Sequence, residues 1–335
     1  MPLSHSKRIL VTGGAGFIGS HLCERLVSEG LQVTCVDDYS SGRRENVAHL
    51  LREPNFTVIE HDIVYPISIE VDEIFNLACP ASPVHYRRDP VQTMRTCVNG
   101  SINMLDLATR TKARILQAST SEVYGDPEVH PQREDYLGRV NPIGARGCYD
   151  EGKRAAETLF FDYHRRHGTR IKVARIFNTY GPRMRADDGR VITNFIIQAF
   201  DGRPLTIYGD GGQTRSFCYI GDMVDGLLSL MRTSDEIVGP MNLGSPDEIG
   251  IEELARLVAR EVGSTSAFEH CPASEDEPRR RKPDISMARQ TIGWEPRVSL
   301  ADGIRIVADH FRARSGETSR MRAEINISVG RPLHP

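Results

Sequence analysis

Hydrophobic positions along the chain fall into short, nearly continuous runs separated by longer stretches with helical spacing. The runs are Arg8-Ile-Leu-Val-Thr12, Gln32-Val-Thr-Cys-Val36, Val58-Ile59, Glu73-Ile-Phe-Asn-Leu-Ala78, Ala113-Arg-Ile-Leu-Gln-Ala118 and Arg170-Ile-Lys-Val-Ala-Arg-Ile176. Apolar runs of this length predict buried strands. Between the first two, Leu22, Leu26 and Val27 share one face of a helix predicted from Ser20 to Glu29, with Gly30 closing its end. Glu, Lys, Arg and Ala dominate from Tyr149 to Leu159 and predict another helix. Strands alternating with helices predict an α/β fold, a doubly wound parallel sheet with helices on both faces. Ligands of such sheets bind beyond the carboxyl ends of the strands.

After about Phe177 this rhythm weakens. Pro182, Pro204, Gly209, Gly211 and Gly212 punctuate shorter elements, and a helix is predicted from Ile251 to Val262 with Ile251, Leu254, Leu257 and Val258 on one face. A smaller C-terminal lobe follows. The expected division is a first domain over residues 1–178 with a returning segment at about 216–245, a second lobe over 179–215 and 246–314, and a tail over 315–335. Residues 272–283, rich in Pro, Glu and Arg, predict a loop. No internal repeat or low-complexity tract is present.

Composition narrows the class. The chain has 335 residues, 39% hydrophobic and 26% charged, with a formal net charge of -3. That balance gives no electrostatic case for nucleic acid or an anionic membrane. Arg279-Arg280-Arg281-Lys282 is a local basic patch, either a solvated loop or an anion site. Seven cysteines stand at 23, 35, 79, 97, 148, 218 and 271, with no C-x-x-C among them. Neither a metal site nor a redox dithiol is expected from that spacing, and buried free thiols in a reducing compartment fit best. The short polar start, Met1 to Lys7, predicts no signal peptide, and no apolar run approaches membrane-spanning length. A cytoplasmic location is the expectation.

Candidate chemistry gathers at the predicted strand ends. Gly13, Gly16 and Gly19 form G-x-x-G-x-x-G between the first strand and its helix. The first glycine permits a tight turn, the second lets backbone approach a pyrophosphate, and the third allows close packing of helix on strand. The helix N-terminus then offers free N–H groups to phosphate. Asp37 ends the second strand, 18 residues after Gly19. A carboxylate there accepts bonds from ribose hydroxyls and favours NAD over NADP, whereas Arg43 and Arg44 nearby argue the other way. Asp62 is either an adenine contact or a surface acid. Tyr149 and Lys153 form Y-x-x-x-K, a spacing that sets both side chains on one helical face. A phenol titrates near pH ~10. A neighbouring ammonium is expected to lower that value, so the pair can take a proton from a sugar hydroxyl. Thr120, at the end of the fifth run, either shares that proton or caps the strand. Glu122 either moves protons and orients hydroxyls or is a solvated loop carboxylate.

Taken together, these residues resemble the extended short-chain dehydrogenase/reductase family over about Lys7 to Arg312. The order is glycine loop, acid, Asn-Leu-Ala, Ser/Thr pair, Y-x-x-x-K, then a smaller lobe. The likeness is greatest to the branch that decarboxylates UDP-glucuronate to UDP-xylose. It is carried by Ala78-Cys-Pro-Ala-Ser-Pro83, Thr120-Ser-Glu-Val-Tyr-Gly-Asp-Pro127, Cys148-Tyr-Asp-Glu-Gly-Lys-Arg-Ala-Ala-Glu157, Gln213-Thr-Arg-Ser-Phe217 and Arg281-Lys-Pro-Asp284. The resemblance implies a Rossmann NAD-binding domain and a nucleotide-sugar-binding lobe. It implies that NAD lies against Gly13, Gly16, Phe17, Ile18, Gly19, Asp37, Asp62, Ile63, Leu77 and Ala78, with Tyr149 as base and Lys153 as its partner on the nicotinamide ribose. It implies that Thr120 and Glu122 face the sugar. Asn178, Arg190, Tyr208, Gln213 and Arg215 would hold the UDP portion, and Arg281 the diphosphate and sugar end. It further implies a homodimer through a four-helix bundle that includes the Tyr149 helix.

Two departures from the family pattern stand near the expected site. In Arg95-Thr-Cys-Val-Asn-Gly-Ser101, Arg95 replaces a lysine and keeps its charge, whereas Cys97 replaces an asparagine and cannot make an amide's bonds. Gly147 stands where a serine commonly precedes Cys-Tyr. The implied chemistry oxidises the sugar at C4, loses carbon dioxide from the resulting β-keto acid, reprotonates C5 through Glu122 or water, and reduces C4 again. A firm arginine pair on the leaving carboxylate would stabilise the ground state, so a weakly paired or apolar pocket is expected there. The alternatives are release of the 4-keto pentose, a nucleotide-sugar 4-epimerase, and an inactive NAD-binding regulator.

Overall fold

The computed structural model describes residues 6–272 and 280–313. The predicted tail and most of the predicted loop over 272–283 lie outside the described residues. Seven strands form one sheet: β1 (Arg8–Thr12), β2 (Gln32–Asp37), β3 (Phe56–Glu60), β4 (Glu73–Asn76), β5 (Arg114–Thr120), β6 (Arg170–Ile176) and β7 (Met241–Leu243). Their spatial order is β3-β2-β1-β4-β5-β6-β7, and every neighbouring pair is parallel. This is the doubly wound Rossmann arrangement, with its order reversing between β1 and β4.

Both faces of the sheet are covered, as parallel strands require. Successive side chains alternate across the sheet. Val11 joins a core with Leu22 and Leu26 of α1 (Phe17–Ser28) and with Phe75, Leu116, Met223 and Leu227. Leu10 points the other way and joins Ile74, Ile115, Met104, Leu105 and Phe160. Met104 and Leu105 belong to α2 (Ser101–Thr111), Phe160 to α3 (Gly147–His167), and Met223 and Leu227 to a helix over Ile220–Met231 that packs alongside α1. A separate core lies in the C-terminal part. There Ile192, Phe195 and Ile196 of the helix Val191–Phe200 meet Leu254 and Val258 of the helix Ile251–Val262, and Ile304 and Val307 of helical residues 300–313.

Several boundaries differ from the sequence pattern for local reasons. β4 ends at Asn76 rather than Ala78, because the amides of Leu77 and Ala78 turn aside to the Thr12 hydroxyl at 3.1 and 3.2 Å. α1 begins at Phe17, inside the glycine loop, with Gly16 as its N-cap. α3 starts two residues before Tyr149 and runs on to His167, where Gly168 in the left-handed region ends it. A polar clamp seats α3 over the sheet. Glu157 accepts from Ser119 on β5 at 2.5 Å and from the Arg175 guanidinium on β6 at 2.8 and 3.0 Å. Half-in charged pairs of this kind fix geometry more than they add stability, and here the geometry set is the height of α3 above the carboxyl ends of β5 and β6.

Candidate active site

One cavity of about 680 Å³ opens along those carboxyl ends, and every residue proposed from the sequence lies on its wall. The volume is within the range of small-molecule sites. Its floor on one side is the glycine loop. Gly13 has φ +66, and a Cβ there would sit 2.9 Å from the Ala78 backbone. A Cβ at Gly19 would sit 2.1 Å from the Gly13 carbonyl oxygen, so α1 can approach β1 only with glycine at both points. The first turn of α1 carries no acid and its N-cap no side-chain bond. Its open amides therefore suit a pyrophosphate. Asp37 is buried and accepts from the Ala15 and Tyr39 amides at 2.9 and 2.8 Å; burial raises its pKa against those bonds. Asp62 accepts from the Val64 amide and the Gln92 amide group, so a structural role accounts for its carboxylate whether or not it also meets a ligand. Arg43 faces Asp187 at 3.8 Å, and Arg44 pairs with Glu60 at 2.5 Å and covers the Tyr39 ring. Neither arginine is on the cavity wall. The residues present fit a dinucleotide that carries a free 2′-hydroxyl.

Tyr149 and Lys153 share a face of α3, and both are buried. Lys153 donates to the Ala118 carbonyl at 2.9 Å, and its ammonium lies 5.9 Å from the centre of the Tyr149 ring. The Tyr86 ring stacks on Tyr149 at 5.2 Å with the planes 3° apart. Burial pushes the Tyr149 phenol well above its ordinary value, the neighbouring Cys79 sulfur adds to that, and a bond with the Thr120 hydroxyl opposes it. The expectation that Lys153 draws the phenol down is thus not met in the free protein; burial is the larger effect. Thr120 does both things considered for it, since its hydroxyl reaches Tyr149 and also caps the turn at Glu122, accepting from the Glu122 amide at 3.2 Å.

Glu122 is not a solvated carboxylate. It lies between two guanidiniums, Arg281 from the C-terminal lobe, which donates to Oε1, and Arg146 from the N-terminus of α3, 2.7 Å from Oε2. Burial works to raise its pKa, but the two arginines prevail and hold it down at about 2. At neutral pH it is a fixed anion, which weighs against the expected role of proton carrier. Arg281 is 4% exposed, so the solvated-loop reading of the basic patch fails at this residue. Arg281 Nη2 and Arg146 Nε are buried with no hydrogen-bond acceptor among the described residues. Such donors are costly unless an acceptor arrives with a ligand.

At the far end, Arg190 caps the helix Val191–Phe200 and reaches the Ala81 carbonyl at 3.1 Å. Gln213 donates to the Tyr208 carbonyl at 2.7 Å and leaves its own buried Oε1 without a donor. Tyr208 is half exposed, while Arg215 is buried and donates to Thr214. Asn178 gives its carbonyl to the Cys218 amide. Sequence reasoning missed Arg146 and Asp150. Arg146 lies three residues before Tyr149, a helical spacing, but it falls in a Gly- and Pro-rich stretch with no helical pattern of its own. Asp150 is buried, its Oδ1 has no hydrogen-bond partner among the described residues, and burial followed by the Glu122 charge raises it to about 7.

Comparison with known proteins places this geometry. A family model described as GDP-mannose 4,6 dehydratase matches residues 10–307. UDP-glucuronic acid decarboxylase 4 of Arabidopsis thaliana is 55% identical over 307 residues, 92% of this chain and 69% of that protein. UDP-glucuronic acid decarboxylase 1 of Danio rerio is 53% identical over 98% of this chain and 79% of its own. Among solved structures, UDP-glucuronic acid 4-epimerase from Bacillus cereus, in complex with UDP-glucuronic acid and NAD, superposes with a TM-score of 0.82. It is 28% identical over 91% of this chain and 99% of that one. A dTDP-glucose 4,6-dehydratase from Streptomyces venezuelae with NAD bound gives 0.83 at 25% identity, over 92% and 98% of the two chains.

Two outcomes are expected from this geometry. Asp150 holds its proton more tightly folded than unfolded, so its contribution to stability falls as pH rises from its ordinary 3.8 to about 7. Asp150→Asn, which keeps a neutral side chain, is expected to be more stable than the parent at pH 8 by on the order of 2 kcal/mol and so to melt at a higher temperature, with the gap narrowing at pH 5. Thermal melts across that range check it, and a constant gap would remove the titration from the account. At Gly147 a Cβ would sit 2.7 Å from the Pro142 carbonyl oxygen. Gly147→Ser, the family's usual residue, is therefore expected to destabilise this chain by roughly 1–3 kcal/mol in denaturant titrations, as overpacking does.

Proposed function

The chain belongs to the GDP-mannose 4,6-dehydratase family of extended short-chain dehydrogenase/reductases, and from that premise we propose that it is a UDP-glucuronic acid decarboxylase, converting UDP-glucuronate to UDP-xylose and carbon dioxide. The observation that carries the reading is the meeting of Tyr149, Thr120 and Lys153 with the Glu122 ion cluster on the wall of a cavity whose other end is a dinucleotide cradle. The named relatives supply the substrate. NAD, when bound, supplies the acceptor and later the donor of a hydride at the sugar C4. The paired arginines and the acid on β2 support NAD over NADP.

Within this reading, Tyr149 takes the proton of the 4-hydroxyl and Thr120 steadies the phenol by its hydrogen bond. Loss of the carboxyl group from the 4-keto uronate leaves an enolate oxygen, which Tyr149 and Thr120 stabilise by donating to it. Glu122 holds Arg281 and Arg146 in place, and its single negative charge offsets half of their two positive charges, which weakens the pull of either on the leaving carboxylate. Its depressed pKa favours water over Glu122 as the source of the C5 proton. Asn178, Arg190, Tyr208, Gln213 and Arg215 hold the UDP portion. We assign residues 179–215 and 246–314 to the substrate lobe. A homodimer pairing α3 and its neighbouring helix into a four-helix bundle, and a cytoplasmic location, belong to the same proposal. Among the described residues no helix is long and apolar enough to cross a membrane.

Mass spectrometry of the purified protein with UDP-glucuronate and no added NAD tests the reading. A UDP-pentose at the mass of UDP-xylose, with carbon dioxide released, is the expected result. A 4-keto pentose with NADH accumulating once NAD is supplied would mean a truncated cycle. A product of unchanged mass would mean a 4-epimerase. Tyr149→Phe is expected to lower turnover by about 10²–10⁴-fold with UDP binding retained, the usual worth of a general base. Glu122→Gln leaves two buried guanidiniums without their anion. It is expected to slow turnover and to lower stability, and unchanged turnover would remove Glu122 from the chemistry.

A further inference from the structure

Two cysteines 18 residues apart meet at the cavity wall. Cys79 follows β4 in the loop after Ala78 and lines the cavity. Cys97 is 2% exposed in a π-helical turn, Thr96–Gly100, that leads into α2. Their Sγ atoms are 3.3 Å apart. Either sulfur can donate to the other; the bond and burial raise the Cys79 thiol, whereas the bond lowers that of Cys97. Cys97 also presses on the catalytic helix. A Cβ on Gly152 would meet its Cβ at 2.9 Å and its Sγ at 3.0 Å, and Gly152 lies between Tyr149 and Lys153. Both sulfurs act electrostatically on the Tyr149 phenol.

We propose that Cys79 and Cys97 form a reversible oxidation site that closes to a disulfide under a peroxide and switches the enzyme off. The wall-facing sulfur of Cys79 attacks the peroxide O–O bond and its proton passes to the departing hydroxide. One water leaves and Cys79 becomes a sulfenic acid. Cys97 then attacks that sulfur, the S–O bond breaks, and the departing hydroxide takes the Cys97 proton as a second water. Two electrons pass from the sulfurs to the peroxide, and a dithiol reverses the step by exchange. Closure brings the sulfurs from 3.3 Å to ~2.05 Å and draws the Cys79 loop inward. Leu77 and Ala78 in the same segment form the cofactor side of the wall, so the movement distorts that side. The turnover readout rests on the decarboxylase reading above, whereas the cross-link does not.

The test treats the reduced full-length chain with hydrogen peroxide, blocks remaining thiols by alkylation, and maps cross-linked peptides by tandem mass spectrometry while following turnover of UDP-glucuronate. The expected result is a Cys79–Cys97 linked pair lighter by two hydrogens. Turnover should fall by about tenfold or more in step with it, and return with dithiothreitol. Cys97→Ser should form no such link, and its turnover, read against its own untreated value, should resist peroxide. Linkage to Cys148 instead, undiminished inactivation of Cys97→Ser, or a Cys79–Cys97 link that leaves turnover intact would each overturn the proposal. A reduced chain with no turnover at all would sink the decarboxylase reading, while the cross-link map would still decide whether the two thiols join.

Discussion

The site depends on one buried ionic cluster, Glu122 held between Arg281 and Arg146. Its three members come from three places: the turn after β5, the start of α3, and the short C-terminal strand Arg280–Arg281. Glu122 is thus one of the points where the C-terminal lobe is tied to the sheet. Burying three charges is a poor way to gain stability, since apolar residues of similar size serve as well. Removing Glu122, however, leaves two buried guanidiniums uncompensated, at about 3–5 kcal/mol. The cluster therefore fixes position. It sets Arg281 and the head of α3 relative to β5, and through α3 it sets Tyr149.

Tyr149 shows what that positioning costs. Its phenol is under the Tyr86 ring, out of water, and burial drives it away from the phenolate that base chemistry needs. Lys153 does not offset this directly, because one of its donors is committed to Ala118 and its charge is 5.9 Å from the ring centre. The favourable contact within the chain is the Thr120 hydroxyl. A base built this way gains its proton affinity in the empty site and is tuned by what binds. A substrate hydroxyl hydrogen-bonded to the phenol, with a cation alongside, favours the ionised form. Lys153 is anchored by the Ala118 carbonyl, which takes up one of the three N–H donors of its ammonium.

What could be read from the chain was whatever is local. The glycine loop, Asp37 and the Tyr149–Lys153 spacing are each set within one turn or one strand–helix unit, and the sheet follows from the apolar runs. Contacts that depend on the fold were out of reach. Glu122 and Arg281 are separated by 159 residues, and nothing near either of them announces the other. Arg146 was hidden because Pro142 and Gly144 broke the helical pattern one turn too early, whereas α3 already begins at Gly147. The thiols show the same limit from another side. The absence of C-x-x-C argued against a redox pair, yet a rule about neighbours in sequence says nothing of a strand end meeting a π-helical turn.

Cys97 also shows how a departure from a family pattern is accommodated. The family pattern that the sequence resembles implies an asparagine in its place, whose amide is larger than a thiol and makes directional bonds. In this chain the π-helical turn brings the side chain against Gly152, where even a methyl group would touch Cys97. There is little room to spare on that side, and Cys97 finds its polar partner on the opposite one, in the Cys79 sulfur. The exchange of an amide for a thiol therefore keeps the packing beneath α3 and changes the chemistry above it. A hydrogen-bonded thiol pair joins the cavity wall to the catalytic helix. Whatever acts on Cys79 from the cavity thus acts, through Cys97 and Gly152, on the turn of α3 that carries Tyr149 and Lys153.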